Sequence, residues 1–241
     1  MAAIFEELKT RVRPILEANQ LLGQRVRISA RALTTEEAIG NPEANDFPLQ
    51  KGRERLMQAE FKGALGQAYT DRFGDYEGTM SEILDMTLAN NFRRAIFVAA
   101  VNAALRYLGK VEDTIHCRDT GPAQCGKQLA PFIKERYGRP KVALIGFQPR
   151  MAENLAAQFA LRIVDMDPDN IGTRPNQVEI ESPAATDEVI DWAELLCVTG
   201  TTLVNDTIEQ FLVAKPTIFY GTTIAGAAYL MDWQRFCAES E

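Results

Sequence analysis

The sequence has very little histidine and cysteine, and this scarcity limits the sites that one chain can build. His116 is the single histidine among 241 residues, so a zinc site with two or three histidine ligands is excluded within one chain. A Ser-His-Asp or Cys-His nucleophile would have to be built around that same residue. The four cysteines are too few and too scattered to form a disulfide scaffold. We therefore expect a reduced, cytoplasmic protein.

The sequence also lacks an excess of positive charge and a long apolar run. Lysine and arginine number 26 against 33 acidic residues, which gives a net charge of −7 and argues against nucleic acid as a partner. The richest apolar run, Ala95 to Leu105, contains Asn102 and is too short to span a bilayer. Glu6 and Glu7 precede any apolar run, so the start does not resemble a secretory signal. Neither a nucleic-acid nor a membrane partner is expected, and no pattern indicates the oligomeric state.

The first part of the chain mixes helical and strand patterns. Apolar spacing predicts an N-terminal helix, an alternating strand, and two later helices, the second rich in alanine and interrupted by Asn102. We expect Asn102 to tie core elements together, because asparagine is unfavourable inside a helix. The predicted elements are a helix over 1–22, strands over 26–30 and 60–70, loops over 34–48 and 71–78, and helices over 79–89 and 93–108.

The second part alternates apolar strands with helices, a rhythm typical of βαβ units and a parallel sheet. The predicted elements are a helix over 123–137, strands over 141–147, 162–166, 195–198 and 217–220, and helices after these strands, including one over 151–160 and one from Gly200 to about Val213. The fold class is therefore α/β, with an α+β domain over 1–115 and a Rossmann-like parallel-sheet domain over 116–241. No GxGxxG or GxxxxGK[ST] motif occurs, so binding of NAD, FAD or ATP has no support.

Three turns after the predicted strands are candidate ligand-binding segments, because ligands of parallel sheets bind beyond the carboxyl ends of the strands. Glycine allows close backbone approach, and threonine hydroxyls can contact polar groups of a ligand. The alternative is that these threonines only cap helices. The candidate ligand-binding residues are Gly146, Phe147, Gln148, Thr199, Gly200, Thr201, Thr202, Asn205, Gly221, Thr222 and Thr223.

A short segment at the domain boundary concentrates possible metal ligands. His116, Cys117, Asp119 and Cys125 carry the imidazole, thiol and carboxylate groups that suit a soft or borderline divalent metal. Their spacing matches no recognised zinc pattern. The alternative is a linking strand in which His116 or Asp119 pairs with backbone. Cys197, in an apolar strand, and Cys237, near the C-terminus, are not expected to join this group.

Several segments in this order resemble one known family, a domain-of-unknown-function family called "putative heavy-metal chelation". The segments that carry the resemblance are Pro48–Glu54, Phe61–Ala68, Thr70–Asp71, the helix around Asn102, Thr114–Asp119 with Cys125, Thr199–Thr207 and Gly221–Gly226. The resemblance implies an enolase-N-terminal-like first domain, a Rossmann-like second domain, and a metal or small ligand bound in the crevice between them.

Two functional hypotheses follow. The first is a protein that binds a metal or small ligand in an interdomain cleft, with the threonine turns on one side and the His116 segment as soft-metal ligands. The second is an enzyme, of transferase or lyase type, that acts on a small anionic or heterocyclic metabolite. No catalytic residue is assigned, but His116 would be the obvious general acid or base, since its ordinary pKa lies near neutrality.

Overall fold

The structure is a computed structural model that describes residues 3–29 and 55–240. It contains a four-stranded antiparallel sheet and a six-stranded parallel sheet, which confirms the predicted mixed α/β fold class. None of the helices in these two ranges is long and apolar enough to cross a membrane. The loop predicted over 34–48 and the segment Pro48–Glu54 fall outside the described residues.

The first half contains four strands and three helices. The antiparallel strand order is β3-β2-β1-β4. The first and last helices of this half are long. The helix between them is short, and Thr79 at its N-cap forms a capping box with Glu82. The elements are α1 (Ala3–Ala18), β1 (Arg25–Ser29), β2 (Arg55–Phe61), β3 (Ala64–Thr70), β4 (Tyr76–Thr79), α2 (Met80–Asp85) and α3 (Asn91–Tyr107).

The single strand predicted over 60–70 is wrong, because β2 and β3 form a hairpin there. Lys62 and Gly63 connect the two strands, and both have positive φ, at 51° and 85°. Two consecutive residues of positive φ make the kind of two-residue turn that matches the twist of a hairpin. The loop predicted over 71–78 is also partly wrong, since Tyr76 begins β4, which pairs with β1.

Helix α3 lies very close to β3, as its alanine content suggests. A Cβ atom at Gly66 would lie 2.3 Å from the backbone nitrogen of Ala103 and 2.5 Å from the carbonyl oxygen of Ala99. Glycine is therefore required at this point by backbone contact between helix and strand. The close packing fixes the position of β3, whose last residues reach the candidate site.

The second half contains six parallel strands and their connecting helices. The helices and strands are α4 (Gly121–Tyr137), β5 (Val142–Ile145), α5 (Pro149–Ala156), β6 (Leu161–Val164), β7 (Ile180–Glu181), α6 (Thr186–Trp192), β8 (Leu195–Thr199), α7 (Thr201–Val204), β9 (Thr217–Tyr220), α8 (Ala225–Met231) and β10 (Arg235–Phe236), and three 3₁₀ turns lie at Pro175–Gln177, Pro183–Ala185 and Ile208–Phe211. Their order across the sheet is β10-β9-β8-β5-β6-β7. When β5 is numbered as strand 1 and the sheet is read from β7 to β10, the strand order is 3-2-1-4-5-6. This is the order found in doubly wound nucleotide-binding sheets.

Two predictions in this half need correction. The helix expected to run from Gly200 to about Val213 is interrupted, because Asp206 adopts a φ of 63° between α7 and the following 3₁₀ turn. The short edge strands β7 and β10 and helix α6 are absent from the prediction. Two-residue strands have no periodicity to detect, and they form only because a neighbouring strand supplies their hydrogen-bonding partner.

The main hydrophobic core is shared by both halves of the chain. One cluster joins buried side chains of α1 and α3, such as Phe5 and Phe97, with Val198 and Phe219 of the parallel sheet. A second cluster, which includes Leu129 and Leu144, lies on the other face of the parallel sheet. The two sheets are therefore held together by buried apolar contacts, and the space between their ends has walls from both.

Candidate functional site

A cavity of about 490 Å³ lies at the carboxyl edge of the parallel sheet, beside the end of β3. Ten of the eleven predicted ligand-binding residues line it, together with His116, Cys117 and Cys125, whereas Thr222 and Asp119 do not. The residues that line the cavity include Tyr69, Asp71, Asn91, His116, Cys117, Cys125, Gly146, Phe147, Gln148, Asp165, Met166, Asp167, Thr199, Gly200, Thr201, Thr202, Asn205, Tyr220, Gly221, Thr223 and Cys237.

The base of the cavity lies between β5 and β8, where the direction of strand order reverses. Gly146 has a φ of 89°, and a Cβ atom there would lie 2.6 Å from Cγ2 of Thr199. The hydroxyl of Tyr220 donates to the carbonyl oxygen of Gly146 at 2.6 Å. Only glycine fits this conformation without strain, so the turn after β5 is held tightly against the neighbouring strands.

The turn after β5 offers few backbone N–H groups to a ligand. The backbone N–H of Phe147 donates to Oδ2 of Asp165 at 2.5 Å. The side chain of Gln148 caps helix α5 by accepting from the backbone N–H of Met151 at 2.6 Å. Pro149, the first residue of α5, has no N–H. This helix start is therefore capped from within and does not form the anion cradle that the sequence suggested as one option.

The threonine hydroxyls at the cavity wall are partly used by the protein itself. Thr202 donates to the carbonyl oxygen of Thr199 at 2.7 Å. The hydroxyls of Thr199 and Thr201 lie 3.2 Å apart, within hydrogen-bonding distance. The hydroxyl of Thr223 accepts from the backbone N–H of Tyr69 at 3.1 Å and so joins the two sheets. These bonds leave the turns rigid, while the side chains still border the cavity.

His116 is held at the cavity by the edge strand β3. Its backbone N–H donates to Oε1 of Gln67 at 2.7 Å, and its ring meets the Tyr69 ring edge-on with centroids 5.5 Å apart. Nδ1 is buried and has no hydrogen-bond partner among the described residues. Burial lowers the pKa of His116 from 6.5 to about 4, outweighing a backbone hydrogen bond at Cys117 that raises it. The imidazole is therefore neutral at pH 7.

Three cysteines border the same cavity. Cys117, Cys125 and Cys237 are close enough to interact electrostatically, and burial, the main cause, raises the pKa of all three thiols, that of Cys125 to about 12. The expectation that Cys237 lies apart from this group is wrong, because β10 returns the C-terminal segment to α4. Cys197 lies in β8 and does not line the cavity.

The four predicted metal ligands are not assembled into one site. Asp119 is exposed, has a φ of 53° and does not line the cavity. Within residues 3–29 and 55–240, no three His, Cys, Asp or Glu side chains are grouped so that they could hold a metal ion. His116, Cys117 and Cys125 share the cavity wall without forming such a group.

The charge at the cavity wall is entirely acidic. Asp71, Asp165 and Asp167 contribute carboxylates, and no lysine or arginine occurs among the described lining residues. Asn91 donates to Oδ1 of Asp71 at 2.7 Å and to Oδ1 of Asn205 at 3.2 Å, and this links the end of β3 to the turn after α7. Such a wall favours neutral or positively charged ligand groups over anions.

Several of these lining residues were not predicted from the sequence. Asp165 and Asp167 follow β6 directly, so the rule that ligands bind beyond the strand ends could have identified them. Tyr69 and Asn91 come from the other half of the chain, and no local pattern marks them. Asp71, from the same half, was named only as part of a segment that carries the family resemblance. Tyr220 ends a predicted strand, but its contact with Gly146 depends on how the strands are ordered in the sheet.

Comparison with known proteins supports the same assignment of the fold. Residues 132–225 match the model of the DUF364 family, described as "Putative heavy-metal chelation", which confirms the resemblance seen in the sequence. A DUF364 protein of unknown function from Pyrococcus horikoshii is similar in structure, with a TM-score of 0.59 and 16% identity over 91% of this chain and 79% of that one. A second, from Desulfitobacterium hafniense, has a TM-score of 0.50 and 14% identity over 73% and 72% of the two chains. No curated protein matches the sequence.

Proposed function

We propose that this protein binds a small organic ligand in the cavity between its two sheets. The observation that carries the proposal is that residues distant in sequence border one cavity, namely the turns at Gly146, Thr199 and Gly221 and the segment at His116. Chance would not be expected to place three strand-end turns, an imidazole and three thiols around a common space of this size. The two domains, 1–115 and 116–241, would each supply one wall.

The size and composition of the cavity fit an organic molecule better than a bare ion. Its volume of about 490 Å³ falls within the range of small-molecule sites. Ile145, Phe147, Met151 and Phe211 give apolar wall, and a few carboxylates and amides interrupt it. Binding sites for metabolites commonly have this combination, in which apolar surface provides affinity and a small number of polar groups sets orientation.

Thermal-shift screening against a collection of neutral, cationic and anionic metabolites tests the proposal. A ligand of the cavity raises Tm, and the gain shrinks in Phe147→Ala, which removes a ring from the wall. Phe73→Ala is the matched control, because Phe73 is 50% exposed and does not line the cavity. A stabilising ligand whose effect is the same in both variants binds elsewhere and contradicts the proposal.

A second candidate function, soft-metal binding, is favoured by the three cysteines at one wall. Cys117 and Cys125 would be the thiolate ligands, and Cys237 is near enough to interact with both. Because burial raises the pKa of these thiols, metal binding would have to displace their protons and would strengthen as pH rises.

Equilibrium dialysis of the reduced protein with Cd²⁺ at several pH values tests the metal hypothesis. Binding tighter than micromolar that is lost in the double variant Cys117→Ser, Cys125→Ser supports it. Cys197→Ala is the control, since that thiol is buried in β8. Binding weaker than micromolar, or unaffected by the double variant, excludes these thiols as a physiological chelation site.

The enzyme alternative depends on His116. The neutral imidazole has a lone pair free to hydrogen-bond a substrate, but its pKa of about 4 makes it a weak base at pH 7, so a substrate that raises this pKa is required for it to act as a general base. The acidic wall favours a heterocyclic substrate over an anionic one. Incubation of the ligand found by screening with protein, followed by mass spectrometry, separates turnover from simple binding. Loss of turnover in His116→Gln with retained binding would assign the reaction to this residue.

A further inference from the structure

We propose that the cavity takes an unphosphorylated nucleoside, whose ribose hydroxyls bind the carboxylate of Asp167. This inference rests on the proposed function, because it names the chemical class of the organic ligand. It is carried by the position of Asp165–Asp167 in the strand order, by the free carboxylate oxygen of Asp167, and by the absence of positive charge from the described wall.

The position of Asp165 and Asp167 in the strand order indicates a role in binding ribose. Strand β6 is the second strand of the 3-2-1-4-5-6 order, and Asp165 and Asp167 follow it within three residues. In dinucleotide-binding sheets of this order, an acidic residue about 20 residues after the first glycine turn accepts a hydrogen bond from a ribose hydroxyl. Here Asp165 and Asp167 follow Gly146 by 19 and 21 residues.

The two carboxylates have different tasks. Asp165 accepts from the backbone N–H of Phe147 through Oδ2 and from the backbone N–H of Asp167 through Oδ1, at 2.5 and 2.7 Å. It therefore fixes the two loops at the cavity edge. Asp167 accepts from the backbone N–H of Asp169 through Oδ1 at 3.0 Å, and within the described residues its Oδ2 accepts nothing. That oxygen is available for a ligand, and a carboxylate can accept both hydroxyls of a cis-diol.

The same region argues against a phosphate group. A dinucleotide site places the pyrophosphate on free N–H groups at the start of the first helix. In this chain Phe147 donates to Asp165, Pro149 has no N–H, and Met151 donates to Gln148. The described wall also carries three carboxylates without lysine or arginine. A phosphate would meet repulsion here and find little compensation.

Apolar surface for a base lies next to these carboxylates. Met166, between Asp165 and Asp167, is 60% exposed although its side chain is large and apolar. Phe147, on the neighbouring strand end, also borders the cavity. A thioether and an aromatic ring on the wall of the same cavity as a diol-binding carboxylate would suit a planar heterocycle. The side-chain nitrogen of Asn205, 3.9 Å from Sδ of Met166, could then contact the edge of the base.

Isothermal titration calorimetry with four nucleosides, adenosine, guanosine, cytidine and uridine, tests the inference. We expect at least one to bind, and the 2′-deoxy form of that nucleoside to bind at least tenfold more weakly. Asp167→Asn should weaken binding of the ribonucleoside at least tenfold and binding of the 2′-deoxy form by a smaller factor, because the deoxy form keeps only the 3′-hydroxyl. Asp169→Asn is the matched control, because Asp169 is exposed and outside the cavity.

Phosphorylated analogues complete the test. The 5′-monophosphate of the nucleoside that binds should bind more weakly than the nucleoside itself. Tighter binding of the monophosphate, or equal affinity in Asp167→Asn and the native protein, overturns the inference. If none of the four nucleosides binds but another metabolite binds through Phe147, the inference fails while the proposed function stands. If no metabolite binds through Phe147 at all, both fail.

Discussion

The side-chain oxygen of Asn102 accepts a hydrogen bond from the backbone N–H of Gly226 at 2.7 Å, and this contact joins the two halves of the molecule. The amide nitrogen of the same side chain donates to the carbonyl oxygens of Gln67, Thr222 and Thr223 at 3.0 to 3.2 Å. Asn102 therefore connects α3 with the middle of β3, at Gln67, and with the turn after β9. The turn after β9 forms part of the cavity wall.

Replacing Asn102 with alanine should reduce the free energy of unfolding by about 3 kcal/mol. The substitution leaves several buried backbone groups without a partner, and each such group costs about 1–3 kcal/mol. Asn102→Asp is a useful second variant, because it keeps the acceptor for Gly226 but loses the donor. Urea denaturation of the two variants measures their free energies of unfolding. A loss below about 1 kcal/mol in Asn102→Ala would mean that Asn102 does not hold the two halves together.

Replacing Gly66 with alanine should destabilise the protein by about 3 kcal/mol or prevent folding. The added Cβ would lie 2.3 Å from the backbone nitrogen of Ala103, so β3 and α3 would have to move apart. Gly23→Ala is the matched control, because a Cβ there meets nothing within 4 Å and Gly23 has no positive φ. Differential scanning calorimetry gives the Tm of each variant for comparison. Equal Tm values would contradict the close packing of α3 on β3.

The stability of the protein should depend on pH through His116. The folded state binds this proton only near pH 4, whereas the unfolded chain binds it near pH 6.5. Stability from this group is therefore constant above about pH 6.5 and falls as pH decreases toward 4. In His116→Gln this contribution is removed, so Tm should fall less between pH 7 and pH 4.5. Parallel thermal melts measure the difference, and identical pH profiles would show that folding does not lower the pKa of His116.

The four thiols should react with iodoacetamide at different rates. Burial raises the pKa of Cys197 to about 12, and this residue lies fully buried within β8, so it should react only after unfolding. Cys117, Cys125 and Cys237 border the cavity and should react slowly at pH 7.5, and a bound ligand should slow them further. Peptide mass spectrometry of timed samples gives the rate at each site. Rapid labelling of Cys197 in the native protein would contradict its placement.

The sequence determined the parts of the fold that depend on local patterns. Apolar runs located β5, β6, β8 and β9, and helical spacing located α1 and α3, because both signals come from residues near each other in the chain. Position after a strand also indicated the turns at Gly146, Thr199 and Gly221. The order of motifs carried the family resemblance. Asn102 stood out because a polar amide inside an apolar helix needs a buried partner.

Only the tertiary structure decided which of these residues share a site. Tyr69 and Asp71 reach the cavity because β3 packs on α3, and Cys237 reaches it because β10 pairs with β9, and neither event is encoded by local periodicity. Asp119 was excluded by the backbone turn that it occupies. Long-range pairing also separated the roles of Asp165 and Asp167, since Phe147 uses the first carboxylate and leaves an oxygen of the second free. The sequence could name candidate residues, but their shared wall and its acidic charge depend on contacts between distant segments.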